Sequence, residues 1–211
     1  MIGFYNYTIL PTYLSLASAV CGICFCFQGR PLIAVYCLLF SGIIDMFDGK
    51  IARTKKDRTP EEKAFGIQID SLCDLVAFGV HPAIIAYALG LRWFFIPILC
   101  LYTLAAVTRL GYFNVTEEIR QTTTTEHRTE YEGLPVTFSA VILPGFFVLQ
   151  LIPFFKHYIA YIYLAGLVLV GYLFVCKKVR VVRPGWLKLA SLIVIGVAEA
   201  ICLVVLGILQ L

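Results

Sequence analysis

Residues 32–52, LIAVYCLLFSGIIDMFDGKIA, and residues 66–89, GIQIDSLCDLVAFGVHPAIIAYAL, decide the fold. Each is an apolar run long enough to cross a bilayer as a helix, which takes about 20 residues. Their acids lie only toward the ends that adjoin the intervening loop: Asp45 and Asp48 close the first run, Asp70 and Asp74 open the second. An Asp at the centre of a membrane helix costs about 2.5–3.5 kcal/mol to insert, and less near the interface, so each one asks for a reason. Snorkelling to water or pairing with Arg would account for one or two. Matched ends on consecutive runs point to a shared function.

Working outward, five more runs of low charge cover 8–27, 93–113, 135–153, 158–176 and 187–209. Hydrophobic residues make up 60% of the 211-residue chain and charged residues 14%, whereas a soluble domain is nearer half apolar and a quarter charged. The expected fold is all-α: a polytopic membrane bundle of about seven transmembrane helices, forming one domain over 1–211. Residues 1–10 carry no Lys or Arg, and the stretch near Ala19 offers no convincing cleavage site, so the first run is expected to be a retained helix rather than a signal peptide. With Met1 inside and alternating spans, the loops at 50–63, 109–132 and 177–188 hold 14 of the 17 Lys and Arg. This positive-inside asymmetry places those loops in the cytoplasm and Leu211 on the far side. Twelve of the 13 acids share that end, which makes it the place to look for chemistry. The eight cysteines lie in apolar runs without a second pair at zinc-site spacing, and act there as small hydrophobes. There is no internal repeat, and Thr122–Thr125 reads as exposed loop. His81 reads as a hydrogen-bonded packing residue and Glu199 as a carboxyl paired at a helix contact or protonated.

On a helix, Asp45, Asp48, Gly49 and Ala52 share one stripe, and Gly66, Asp70 and Asp74 share another. The loop between them makes the two helices antiparallel neighbours, so facing stripes gather the carboxylates at one depth. They cannot all remain ionised side by side without cations. Hard divalent ions with oxygen ligands, Mg²⁺ or Mn²⁺ rather than zinc, meet that need. Four negative charges match two such ions, a standard clamp for phosphoryl chemistry. Gly49, Ala52 and Gly66 leave room for a ligand or allow close helix packing.

Asp45–Arg53, DMFDGKIAR, then twelve residues, then Gly66–Asp74, GIQIDSLCD, resembles the D-x-x-D-G-x-x-A-R…G-x-x-x-D-x-x-x-D signature of the CDP-alcohol phosphotransferases. The linker is longer than is common in that family, and the extra length falls in the charged loop 54–63. The resemblance extends over about 8–183. It implies a six-helix core plus one span, a homodimer, a CDP-diacylglycerol donor in membrane lipid, and CMP as leaving group. It implies Asp45, Asp48, Asp70 and Asp74 as ligands of two metal ions, with Asp74 also the general base. Gly49, Ala52 and Gly66 would line the nucleotide pocket, while Arg53 would touch phosphate or pin the aspartates by a salt bridge. The opening Pro11–Leu16, PTYLSL, is similar to a P-N-x-x-T-L element and brings Thr12 and Ser15 to the donor-binding set.

Within the family, Asp70–Ala83 is similar to the phosphatidylserine synthase branch, which implies L-serine as acceptor. Arg109–Asn114, RLGYFN, resembles R-L-A-R-F-N with Tyr112 in place of the second Arg. Gly133–Pro135 resembles the start of G-L-P-x-P, with Thr137 in place of the second Pro. Arg109 would receive the serine carboxylate or the diphosphate, and Asn114, Gly133 and Pro135 would complete the alcohol pocket. Other acceptors (inositol, inositol phosphate, glycerol phosphate) and an archaeal CDP-archaeol donor are the nearest alternatives. A cation transporter fits less well, because the far halves of the two aspartate spans offer almost no polar residues. No nucleic-acid partner is expected.

Overall fold

The computed structural model describes residues 3–123, 130–182 and 186–209. A 3₁₀ turn, Tyr7–Ile9, leads into α1 (Leu10–Phe27), followed by α2 (Pro31–Ala52) and α3 (Pro60–Asp74). A π-helical turn, Leu75–Val80, joins α3 to α4 (His81–Ala88). Then come α5 (Ile96–Thr123), α6 (Ser139–Val148), the short α7 (Pro153–Lys156), α8 (Ile159–Val175) and α9 (Trp186–Leu209). Strands β1 (Glu130–Glu132) and β2 (Arg180–Val182) form an antiparallel ribbon with Tyr131 opposite Val181. Among the described residues, five helical segments are long and apolar enough to cross a membrane: Tyr7–Phe27, Pro31–Ala52, Pro60–Ala88, Trp93–Arg120 and Ala190–Leu209. Val136–Leu151 and Ile159–Val175 are shorter apolar helices. The chain is a polytopic helical bundle suited to a membrane, with segments in all seven expected places.

The helix boundaries have local causes. Pro11 and Pro31 sit in the first turns of α1 and α2, where a missing N–H costs nothing. Gly29, at φ +70°, makes the tight reversal between them. α3 begins six residues before the expected start at Gly66. Thr59 accepts from the Glu62 N–H while the Glu62 carboxylate accepts from the Thr59 N–H, each at 3.2 Å, a reciprocal capping box that starts the helix. α5 runs ten residues past the expected end at 113 and takes Thr122 and Thr123 out of the expected loop. Thr124 and Thr125 lie outside the described residues, as do Met1 and Leu211.

The π turn directly after Asp74 also has a chemical reason. Pro82 has no N–H to give the Phe78 carbonyl, and hydrocarbon offers no water to replace it. The Tyr102 hydroxyl donates to that carbonyl at 2.7 Å and the Ser139 hydroxyl at 3.4 Å, while Thr103 reaches the Gly79 carbonyl at 3.3 Å. Side chains of α5 and of the start of α6 thereby tie down the α3–α4 junction. The buried core around it includes Leu38, Phe78, Leu143, Phe147, Tyr163, Leu167 and Phe174. His81 is fully buried there, and neither ring nitrogen has a hydrogen-bond partner among the described residues. It packs against Gly22, where a side chain would overlap the imidazole. The expected hydrogen bond is not made among the described residues. Glu199 reaches the α6–α9 contact beside Gly145, with its Oε2 unpaired among the described residues.

α1 packs most extensively on α2. Ser41 donates to the Ser15 carbonyl at 3.0 Å and Ser15 to the Ser41 carbonyl at 3.4 Å, with Ser18 reaching the Cys37 carbonyl at 2.9 Å. On another side of α2, a Cβ on Gly42 would lie 2.5 Å from the Ala140 Cβ of α6. Gly42→Ala is therefore expected to lower the melting temperature in detergent, with overpacking costing about 1–3 kcal/mol. Gly196→Ala, with open space around its Cβ, should be neutral or slightly stabilising. Equal melting temperatures for the two variants would show that α2 and α6 do not meet so closely.

Candidate functional site

The antiparallel run of α2 and α3 sets the aspartates in two facing pairs. Carboxylate oxygens of Asp45, Asp70 and Asp74 all lie within 4.8 Å of one another. Asp45 faces Asp74, and Asp48 faces Asp70, each pair within hydrogen-bonding reach. Asp74 is buried at 8% exposure, where the α3 helix gives way to the π turn. Unit charges 4 Å apart repel by about 4 kcal/mol at an effective dielectric of 20, so this cluster demands cationic compensation. An all-oxygen donor set of this kind fits hard divalent ions. These residues could hold such a metal.

On the loop side of the aspartates lies an open cavity of about 480 Å³. Thr12, Asp48, Gly49, Ala52, Arg53, Gly66 and Asp70 all line it, so the structure brings together most of the residues expected to bind the donor. Space over Gly49 is open, whereas the guanidinium of Arg58 covers Gly66: a Cβ there would lie 2.5 Å from its Nη2. Arg53 donates from Nε to the Gly49 carbonyl at 2.9 Å and forms no ion pair with the aspartates among the described residues. Ser15 is not brought to this cavity. Its hydroxyl is committed to the α1–α2 seam described above, one helical turn below Thr12. Lys55, Lys56, Arg58 and Lys63 make the rim strongly cationic, with Lys55 paired to Glu62 at 2.9 Å.

A second cavity, of about 340 Å³, opens from the other side of the same carboxylates. Asp45, Asp48, Asp70 and Asp74 line it together with Arg109, Phe113, Pro135 and Thr137. Arg109 is buried, donates from Nε to the Leu134 carbonyl at 3.2 Å, and lies over the Phe113 ring. Gly133 is at φ +74°, and a Cβ there would strike the Phe174 carbonyl at 2.5 Å, a conformation that favours glycine. The Gly133 N–H donates to Val179 and the Leu134 N–H to Leu173. The Gly133–Pro135 element is thus a backbone clasp, and through it the end of α8 helps to set Arg109. Tyr112 donates to the Glu132 carboxylate at 2.7 Å, tying α5 to the ribbon. Asn114 lies off the cavity. Its amide donates to the Ser71 hydroxyl at 2.8 Å and holds α5 against α3.

Met46, Thr137, Phe138 and Leu192 are shared between this cavity and an apolar groove between α2, α6 and α9. Nothing in the sequence marked Leu192 as a site residue, since α9 has no polar pattern to locate its face. Arg58 and Lys63 were legible as loop charges but not as cavity lining. The Thr59–Glu62 capping box, a readable signal, is what would have placed Lys63 on the helix with Gly66 and Asp70.

Residues 8–175 match the family model described as CDP-alcohol phosphatidyltransferase. The chain is 32% identical over 143 residues to a CDP-diacylglycerol–serine O-phosphatidyltransferase of Saccharomyces cerevisiae, covering 65% of this chain and 50% of that protein. It is 34% identical over 155 residues to the enzyme of the same name from Mycobacterium leprae, covering 69% and 49%. It is 31% identical over 147 residues to an archaetidylserine synthase of Methanothermobacter thermautotrophicus, covering 67% and 59%. The chain spans about half the length of the yeast and mycobacterial relatives it matches.

The cluster makes a prediction independent of turnover. In chelator-treated protein at pH 8, Asp74→Asn should raise the melting temperature by relieving repulsion. Mn²⁺ at a hundred times its Kd should stabilise the parent by about 2.7 kcal/mol and the variant far less. Differential scanning fluorimetry reads both effects. Equal metal stabilisation of parent and variant would remove Asp74 from the ligand set.

Proposed function

This chain belongs to the CDP-alcohol phosphatidyltransferase family, and we propose that it transfers the phosphatidyl group from CDP-diacylglycerol to L-serine, giving phosphatidylserine and CMP. The observation that carries the reading is the meeting of Asp45, Asp70 and Asp74 within 4.8 Å, between a cationic cavity and an apolar groove. The names of the relatives support serine as acceptor. The whole chain acts as one membrane-embedded domain, and the family resemblance favours a homodimer.

Asp45, Asp48, Asp70 and Asp74 would hold two divalent ions, Mg²⁺ or Mn²⁺, which supply charge neutralisation for the diphosphate and its leaving phosphate. The cavity lined by Thr12, Gly49, Ala52, Arg53 and Gly66 receives the cytidine diphosphate end. The apolar groove leaves the carboxylates between α2, α6 and α9, and gives the acyl chains a route into lipid. On the Arg109 side, the serine carboxylate meets a buried guanidinium, whose fork suits two parallel hydrogen bonds. The serine hydroxyl oxygen bonds to the phosphorus bearing diacylglycerol as the bond from that phosphorus to the CMP oxygen breaks. Asp74 takes the hydroxyl proton as that bond forms, since a carboxylate among cations is a weak base. Pro135 borders the same space, and Gly133 and Asn114 act by holding Arg109 and α5.

Purified full-length chain with CDP-diacylglycerol and a panel of alcohols should release CMP with serine, and chelation should abolish release. Each Asp→Asn substitution at 45, 48, 70 or 74 should nearly abolish it. Arg109→Lys should raise the serine KM more than the CDP-diacylglycerol KM and lower kcat/KM for serine about ten- to a hundred-fold, the worth of a charge-assisted bond. Release with inositol or glycerol phosphate but not with serine would replace the acceptor. Metal-independent turnover would end the dimetal reading.

We place the aspartate end of the bundle in the cytoplasm, with Met1 inside and Leu211 outside, on the 14-to-3 split of basic residues. A single cysteine at position 57 in a cysteine-free variant should label from the cytoplasmic face. Labelling from the opposite face alone would invert the topology.

A further inference from the structure

Arg58 lies in the α2–α3 linker, at the rim of the open cavity, and its guanidinium rests on Gly66. Its two terminal nitrogens make long contacts, Nη1 to the Ala52 carbonyl at 3.4 Å and Nη2 to the Glu62 carbonyl at 3.3 Å. Its Nε is shielded from solvent and has no hydrogen-bond partner among the described residues. A guanidinium has five N–H donors in a fixed fork, and most of this one's capacity is unspent. Gly66 precedes Asp70 by four residues, about 6 Å of helix rise. A diphosphate seated at the aspartates therefore carries its nucleoside outward to the level of Gly66 and Arg58.

We infer that Arg58 reads the base of the lipid-linked nucleotide and selects cytosine over uracil. The inference rests on the donor proposed above. Cytosine presents O2 and N3 as adjacent acceptors, and two parallel N–H groups of a guanidinium meet them together. Uracil carries a hydrogen on N3, so the same fork would face a donor with a donor. Neighbouring cations do not supply this geometry. Lys55 is held by Glu62, Lys56 and Lys63 are point charges that bind phosphate without reading an edge, and Arg53 is tied through Nε to the carbonyl of Gly49, next to Asp48 and so at the level of the diphosphate rather than of the base. Gly66 belongs to the same device, because a side chain there would displace the guanidinium.

The test is calorimetric titration of the full chain in detergent with Mn²⁺, using CDP and UDP as probes. The parent should prefer CDP by tenfold or more. Arg58→Lys keeps the charge and loses the fork, so its preference should fall toward unity while CDP still binds. Arg58→Ala should lose the preference and bind both nucleotides more weakly. Melting temperatures close to the parent's would show that both variants are folded. An unchanged CDP-to-UDP ratio in both variants, or equal binding of the two nucleotides by the parent, overturns the role of Arg58. No CDP binding by the parent overturns the donor reading itself, and this inference with it.

Discussion

Four carboxylates at one depth between two membrane helices repel one another, and the surrounding structure is arranged to keep α2 and α3 together in spite of this. Desolvation sharpens the repulsion, because charges interact more strongly away from water. α2 is fixed on one side by α1, through the reciprocal Ser15–Ser41 contacts, and on another by α6, where Gly42 lets Ala140 approach closely. α3 is fixed at its start by the Thr59–Glu62 capping box and at its end by the π turn that Tyr102, Thr103 and Ser139 stabilise. None of these contacts involves the aspartates. The helices are positioned by independent packing, which leaves the carboxylates free to face a shared cation.

The two cavities divide the polar work. The cavity toward the α2–α3 linker is wide, cationic and floored by small residues, which suits the anionic nucleotide proposed as donor. The other places a buried Arg109 across the same aspartates and borders an apolar groove. Arg109 donates to a backbone carbonyl, and that carbonyl is set by a glycine at positive φ packed against the end of α8. The ribbon and the Tyr112–Glu132 hydrogen bond close this clasp. Tyr112 stands where the family pattern has a second Arg. Its hydroxyl serves here as a tether for the strand beside the cavity.

The membrane imposes its own accounting on the fold. Proline at 82 frees a carbonyl that water cannot reach, and the neighbouring helices supply hydroxyls to it. His81, immediately before that proline, is buried against Gly22 without a hydrogen-bond partner among the described residues. α9 presents most of its apolar surface outward, yet Leu192 reaches the cavity and Glu199 the α6–α9 contact. The span beyond the family match at 8–175 is therefore part of the wall around the site.

Periodicity and spacing determined a good deal. Seven apolar runs, the alignment of Asp45 with Asp48 and of Gly66 with Asp70 and Asp74, and the loop that makes their helices antiparallel are all properties of one stretch of chain. They follow from a 3.6-residue turn and a 20-residue bilayer. The start of α3 was encoded as well, in a Thr, a Pro and a Glu three residues on, although the apolar run alone placed it six residues late, at Gly66. Tertiary structure alone decided which of several plausible side chains reach the site. Ser15 lies one turn from Thr12 and is withdrawn by Ser41, Asn114 is drawn to Ser71, and Arg58 is laid over Gly66. Each outcome depends on a partner from another helix or on the path of a loop, and no local pattern encodes the distance between elements that meet only after folding.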